Sequence, residues 1–266
     1  MSTYSDEHKE FLKALTKNKI LISFFRILII SVFLIGWEVL ARYKIINTFL
    51  FSSPSNVVNT TIQLISEGEL FRHIAITVYE VLISFFISSI IGIIVATILW
   101  SNSTVAKVID PYLTILNSLP KVALGPLIII WVGASINSII FMALLISTFV
   151  TIINIYSGFT STDRCYITLL KSLGANKKQI FLKVIWPSNL NIIINTFKMN
   201  ISMCLIGVIM GELLVSKSGL GYLIMYGSQV FNIDLVITGV MFLGLISYLM
   251  YFAVARIELY LVNRAN

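Results

Sequence analysis

The charged residues that lie inside apolar stretches are the ones most able to do chemistry in this sequence. Glu80 stands at the start of one apolar run, Lys198 lies within another, and Glu212 lies at the end of that second run. A charge within a membrane is costly, so it usually faces protein or water, where it can contact a solute. Lys198 and Glu212 share one helix face, within about 40° of each other. We predict that the three residues line a pathway or its gate, with satisfaction by neighbouring segments or headgroups as the alternative.

Catalytic and cofactor motifs are missing from the sequence. No glycine-rich segment has the spacing and the Lys-Ser/Thr pair of a phosphate-binding loop, so ATP cannot be hydrolysed by that route. Cys165 and Cys204 are not expected to pair, and no Cys/His spacing is typical of a metal site. We therefore predict a protein that is not an enzyme, has no metal or cofactor, and takes any energy from another subunit.

A second pattern occupies a polar, basic stretch at about residues 163–187, the helix–Gly–helix segment. Four apolar residues recur at i, i+3, i+4 and i+7, on one helix face: Tyr166, Leu169, Leu170 and Leu173. Gly174 follows and is predicted to stop this helix in a left-handed conformation. A second short helix, at about 177–186, is predicted to end at Pro187. The apolar face must be buried, either on lipid headgroups or in the groove of a partner protein.

The composition indicates which environment these segments occupy. Of 266 residues, 58% are hydrophobic and 12% are charged, and the mean hydropathy is +0.94. Soluble domains have roughly 45–50% apolar and about 25% charged residues, so this chain is predicted to lie in lipid. The net charge of +7 would raise nucleic-acid binding, but the basic residues cluster beside apolar runs and are typical of topology signals. We therefore predict no nucleic-acid partner.

Six apolar stretches approach the roughly 20 residues that cross a membrane. They are residues 21–40, 81–100, 108–131, 136–156, 190–210 and 235–255. The third contains Pro120 and Pro126, which are expected to bend or break it. Lys121 between them either marks an unwound, water-facing stretch or the inner end of a span that starts later. The prediction is an all-α membrane protein of about six transmembrane helices, with a polar segment 1–20 and one transmembrane domain 21–262.

The distribution of Lys and Arg predicts the orientation. If the N-terminus is cytoplasmic, four of these residues lie outside, namely Arg42, Lys44, Arg72 and Lys217. The inner segments then carry 13, namely Lys9, Lys13, Lys17, Lys19, Arg26, Lys107, Arg164, Lys171, Lys177, Lys178, Lys183, Arg256 and Arg264. This bias predicts that both termini and the helix–Gly–helix segment are cytoplasmic. The loop 41–75 is then external, with a helix start at Ser53 and Pro54.

The helix–Gly–helix segment resembles the coupling loop of binding-protein-dependent ABC importer permeases. Thr168-Leu-Leu-Lys-Ser-Leu-Gly174-Ala is followed thirteen residues after the glycine by Pro187. The family pattern has Glu-Ala-Ala, three residues, Gly and a later Pro; Thr168 replaces the Glu, and two leucines replace the alanines. The departure puts in doubt a specific ion pair with the ATPase, but not the placement of the loop.

Other motifs are similar to the branch that includes nitrate, sulfonate, taurine and thiamine-precursor permeases, and the resemblance covers about residues 50–262. These motifs are Ser53-Pro-Ser55, Gly68-Glu-Leu70, Asp110-Pro111, Leu119-Pro120, Pro126-Leu-Ile-Ile-Ile-Trp-Val-Gly133 and Gly219-Leu-Gly-Tyr-Leu223. Each is weak alone, and their order and spacing together are more specific. The Ser216–Gly221 stretch either shapes the dock of a binding protein or is an ordinary turn.

The resemblance implies a permease homodimer in the bacterial inner membrane, two ABC ATPase subunits and an extracytoplasmic solute-binding protein. The cargo would be a small solute, such as a sulfonate, a nitrate-like anion or a thiamine precursor. It also implies which residues contact the ATPase: Tyr166, Thr168, Leu169, Leu170, Leu173, Gly174, Ala175 and Pro187. The alternatives are an ion-coupled secondary transporter, which requires inverted repeats and carboxylates at mid-depth, and a membrane scaffold or sensor.

Overall fold

A computed structural model describes residues 6–265 of the chain, with the side chains of 15–18 and 20–256, and every regular element in that part is helical. The elements are α1 (Asp6–Arg42), α2 (Thr48–Phe51), α3 (Pro54–Ser66), α4 (Glu69–Ser101), α5 (Ser103–Ser118), a 3₁₀ turn (Lys121–Leu124), α6 (Gly125–Val132), α7 (Ile136–Thr160), α8 (Arg164–Ser172), α9 (Lys177–Ile180), a π turn (Phe181–Ile185), α10 (Trp186–Ser188), α11 (Leu190–Val215), α12 (Leu220–Gln229) and α13 (Ile233–Ala265). The all-α prediction is confirmed.

Five helices of the described chain are long and apolar enough to cross a membrane: Leu15–Arg42 within α1, α4, α7, α11 and Ile233–Arg256 within α13. A sixth crossing requires α5 and the segment Lys121–Val132 together, and these are bent by 82°. Leu119, before Pro120, is extended, as the residue before a proline tends to be, and the helix ends there. The predicted number of spans and the broken third span are therefore confirmed.

Two segments predicted to be polar contain helix in the structure. Within the predicted polar segment 1–20, residues 1–5 lie outside the described residues, and the rest forms the beginning of α1. Residues 69–75 of the predicted external loop form the first two turns of α4. The predicted helix start at Ser53 is confirmed, since its hydroxyl accepts the Asn56 N–H at 3.2 Å and Pro54 follows.

The centre of the bundle is α7, which packs along both α4 and α11. Small residues allow this close approach: a Cβ added to Gly211 of α11 would meet the Ile139 backbone of α7 at 2.8 Å. A Cβ added to Gly92 of α4 would meet the Thr151 side chain of α7. Lipid supplies no hydrophobic force between helices, so tight backbone packing at small residues is what holds them together.

The outside of the bundle is apolar and exposed. Ile29 and Phe33 of α1 are 69% and 67% exposed, and Ile130 of α6 is 76% exposed. A water-soluble protein rarely exposes so large an apolar surface, so these side chains face lipid or a partner.

The two ends of the bundle differ in their elements. The Lys177 ammonium donates to the Ser101 carbonyl at 3.3 Å, which places α9 and the end of α4 on the same side of the membrane. Since α4 is about 50 Å long, its start lies on the opposite side. There it meets α3, α12 and the start of α13, around the buried leucines Leu64, Leu70, Leu223 and Leu235.

Candidate functional site

The first helix of the helix–Gly–helix segment has defined signals at both ends. The Asp163 carboxylate accepts the Cys165 N–H at 2.8 Å and caps the start of α8. At the other end Gly174 has a φ of +78°, and the Ala175 N–H donates to the Leu170 carbonyl at 3.0 Å. This is a Schellman motif, and the left-handed stop predicted at Gly174 is confirmed.

The apolar residues of α8 face two directions. Tyr166 and Leu169 are each 58% exposed and Leu173 is 74% exposed, so these three point away from the rest of the chain. Leu170 instead packs, with Ile167, against the buried cluster at the ends of the spans. The predicted single face is thus wrong for Leu170, because α8 must also bury residues to stay attached. What remains is an exposed apolar stripe at i, i+3 and i+7, flanked by the exposed Thr168.

The second helix ends at Ser188, within one residue of the predicted end at Pro187. Asn176 and Gln179 cap the start of α9 reciprocally, each side chain accepting the other's backbone N–H at 2.9 Å. The helix then widens into the π turn, where the Trp186 N–H bonds the Phe181 carbonyl five residues back. Pro187 has no N–H to donate, so it loosens the helix here, and α10 continues to Ser188.

Aromatic rings join this segment to the spans. The Phe181 ring lies 5.2 Å from that of Trp100 in α4 and 5.4 Å from that of Phe159 in α7, between ring centroids. Asn189, which is 3% exposed, donates from its side-chain nitrogen to the Thr162 hydroxyl at 2.7 Å and so ties the two ends of the loop together. These contacts connect the segment to α4 and to the end of α7.

The structure brings Glu80 and Glu212 together but not Lys198. The two carboxyl groups are in contact and are 2% and 1% exposed. One Glu212 oxygen accepts the Thr77 hydroxyl at 2.6 Å, and the other accepts the Gly221 N–H at 2.5 Å. Lys198 lies nearer the other end of α11, where its ammonium donates to the Asn195 side chain at 3.4 Å. The pathway role of all three stays a prediction.

Two neighbours of Glu212 were not among the predicted site residues. The Gly219 N–H donates to Nδ1 of His73 at 2.9 Å, and the Leu220 N–H donates to the Thr77 hydroxyl at 2.9 Å. With Gly221, three successive amides at the start of α12 are satisfied by side chains of α4 and α11. A signal existed in the sequence, because buried polar residues recur on one face of α4: His73, Thr77, Glu80, Ser84 and Ser88.

Lys121 lies at the break of the third span. Its ammonium donates to the carbonyl and to the side chain of Asn117, both at 3.1 Å, and lies 5.7 Å from the centre of the Phe149 ring. Lys121 begins the 3₁₀ turn that leads into α6, so the unwound stretch and the inner end of a later span both stay open.

Known proteins resemble this chain in sequence. Residues 88–265 match the family described as binding-protein-dependent transport system inner membrane component. The formylaminopyrimidine transport permease protein ThiX of Halalkalibacterium halodurans is 31% identical over 222 residues, which are 84% of this chain and 88% of that protein. The taurine transport system permease protein TauC of Escherichia coli is 23% identical over 226 residues, which are 83% and 82% of the two chains.

A solved structure has the same fold. The MetNI methionine ABC transporter in an inward-facing conformation has a chain that matches with a TM-score of 0.61, at 20% identity, over 71% of this chain and 96% of that chain. At that identity the match establishes the fold and no more.

Proposed function

The chain belongs to the binding-protein-dependent family of ABC importer permeases, and we propose that two copies of it move a small solute that an external binding protein delivers. It is a multi-pass membrane protein and a transport component rather than an enzyme. Permeases of this family work with ATPase subunits. We place the chain in a bacterial inner membrane, with both termini inside.

The exposed apolar stripe of α8 carries this proposal. Tyr166, Leu169 and Leu173 are turned away from the spans, while Leu170 and Ala175 fix the segment to them. A short amphipathic helix that offers i, i+3 and i+7 anchors is the form that fits a groove on a partner protein. The ATPase subunit of the importer is the partner we assign to this stripe, with Gly174 and Pro187 setting the shape of the segment.

The aromatic cluster around Phe181 would carry the motion. ATP can shift the permease between inward- and outward-facing states only if the nucleotide-bound ATPase prefers one of them. Docked ATPase subunits that approach each other would pull both segments, and the rings of Trp100 and Phe159 would transmit the pull to α4 and α7.

The cargo is proposed from the relatives, one of which is a permease for formylaminopyrimidine and another for taurine. A sulfonate, a nitrate-like anion or a thiamine precursor each fits this set. We propose Lys198 as a wall residue of the pathway. Glu80 and Glu212 are buried, so we propose that they act on its gate by holding the start of α12. Glu212 lies near the end of α11, not at the mid-depth that ion-coupled transporters need.

Photocrosslinking tests the assignment of α8. Cys165 is exposed and free, so it is first replaced by serine, and Lys171→Cys then carries a thiol-reactive photocrosslinker. In actively transporting cells, we expect adducts with the ATPase subunit from this site. Lys107→Cys on α5 is the matched control, since it is exposed and lies outside the helix–Gly–helix segment. Adducts with phospholipid alone at Lys171, with transport intact, would contradict the proposal.

A further inference from the structure

A cavity opens on the membrane side opposite α8. It has a volume of about 640 Å³ and lies between the end of α3, the start of α4, the helix α12 and the start of α13. Sites for small molecules are concave and typically have volumes of roughly 300–1,000 Å³. The size of this cavity therefore suits a small molecule.

The wall of the cavity carries charges of both signs. The charged residues are Glu67, Glu69, Arg72, Lys217 and Asp234. Among the residues that the structure describes, none of these five forms an ion pair with another. Two carboxylates have neutral partners: Glu67 accepts the Gln63 side chain at 2.9 Å, and Asp234 accepts the Asn56 side chain at 3.4 Å. Glu69, Arg72 and Lys217 remain available to a ligand.

A ladder of rings forms another wall of the same cavity. Tyr222 stacks on His73 at 5.9 Å between ring centroids and 27° between planes, and on Tyr226 at 5.9 Å and 22°. His73 is held in place because its Nδ1 accepts the Gly219 N–H. The stacked rings give this wall a flat apolar surface, so the charged side chains that also line the cavity decide which small molecules are bound.

We propose that this cavity binds a small zwitterion, with the ammonium group near Glu69 and the anionic group near Arg72 and Lys217. A ligand with a single charge could pair with Glu69 or with Arg72 and Lys217, but not with both. The inference rests on the proposed function, because it takes the cavity to lie on the side from which the solute arrives. His73 lines the cavity and also accepts the Gly219 N–H at the start of α12. A ligand bound in the cavity would therefore affect the contact that holds α12 in the proposed gate.

Calorimetric titration of the full chain in lipid nanodiscs tests this inference. Three probes are compared: taurine as the zwitterion, isethionate as the same sulfonate without the ammonium group, and a neutral aminopyrimidine. We expect saturable binding of taurine and at least tenfold weaker binding of the other two. Arg72→Gln and Glu69→Gln, both at exposed positions, should each weaken taurine binding at least tenfold. Lys44→Gln, an exposed charge outside the cavity, should leave it unchanged.

Several outcomes would overturn the inference. These are no saturable taurine binding to a chain with unaltered thermal unfolding, tighter binding of the aminopyrimidine, or variants that bind taurine normally but lose affinity for the binding protein. Association with the ATPase subunit is measured on the same preparation. If the ATPase binds and taurine does not, the cavity assignment fails alone. If taurine binds and the ATPase does not, the proposed function fails and the cavity assignment stands.

Discussion

The Glu212 carboxylate accepts the backbone N–H of Gly221 at 2.5 Å, across the loop that joins α11 to α12. The acceptor lies at the N-terminus of α12, where the helix dipole favours a negative group. Space at this contact is limited: a Cβ added to Gly221 would meet the Glu212 Cβ at 2.7 Å and the Ile209 carbonyl oxygen at 3.0 Å. Glycine is therefore required at positions 219 and 221, because the Glu212 side chain packs against both of them.

Replacement of Gly221 by alanine tests this packing. The added methyl group forces the Glu212 side chain or the Ile209 backbone to move, and overpacking of this kind costs about 1–3 kcal/mol. We expect a lower thermal unfolding temperature in detergent. Gly244→Ala in α13 is the matched control, because nothing lies within 4 Å of its added Cβ and alanine favours a helix. Equal unfolding temperatures for the two variants would contradict the packing argument.

Replacement by glutamine should destabilise the protein to different extents at Glu212 and at Glu80. Glu212 accepts one hydrogen bond at each oxygen, and glutamine can accept at only one atom. We expect Glu212→Gln to cost about 1–3 kcal/mol of stability, the range for a buried group that loses its partner. Glu80→Gln keeps a polar group beside Glu212, and Oε2 of Glu80 has no hydrogen-bond partner to lose among the described residues, so its cost should be smaller. Thermal unfolding of both variants measures the difference, and the reverse order would argue against Glu212 as the anchor of α12.

The sequence predicted the elements better than their contacts. Apolar run lengths placed the spans, and Pro120 placed the break in the third. The contact between Glu80 and Glu212 joins different helices, and no local pattern encodes which helices pack together. Leu170 illustrates the same limit within α8: its periodicity assigns it to an apolar face, but only the packing of the segment on the spans decides that it turns inward.

Gly174→Trp is expected to abolish uptake without preventing folding. Any side chain at a φ of +78° carries backbone strain of about 1–2 kcal/mol, but nothing in the chain lies within 4 Å of the added Cβ. The indole would therefore obstruct the docking partner rather than the permease itself. ATP-dependent uptake and membrane insertion are measured together.

The control for that variant is Gly68→Trp at the start of α4. Gly68 has a φ of +74° and a ψ of 3°, in the left-handed helical region, and also has nothing within 4 Å of an added Cβ, so the backbone strain is similar. We expect this variant to retain association with the ATPase subunit, and Gly174→Trp to lose it. Normal transport by Gly174→Trp would remove the assigned docking role from α8.

Phe181→Ala separates docking from the transmission of motion. The change removes the ring that lies between Trp100 and Phe159 and leaves a cavity, at a cost of about 3–5 kcal/mol for a large aromatic side chain. The apolar stripe of α8 stays exposed, so the ATPase should still bind while ATP hydrolysis no longer drives uptake. Leu182→Ala is the matched control, since Leu182 is the next residue and is 55% exposed. If Phe181→Ala kept full uptake per hydrolysed ATP, the aromatic cluster would not be the route by which the segment moves the spans.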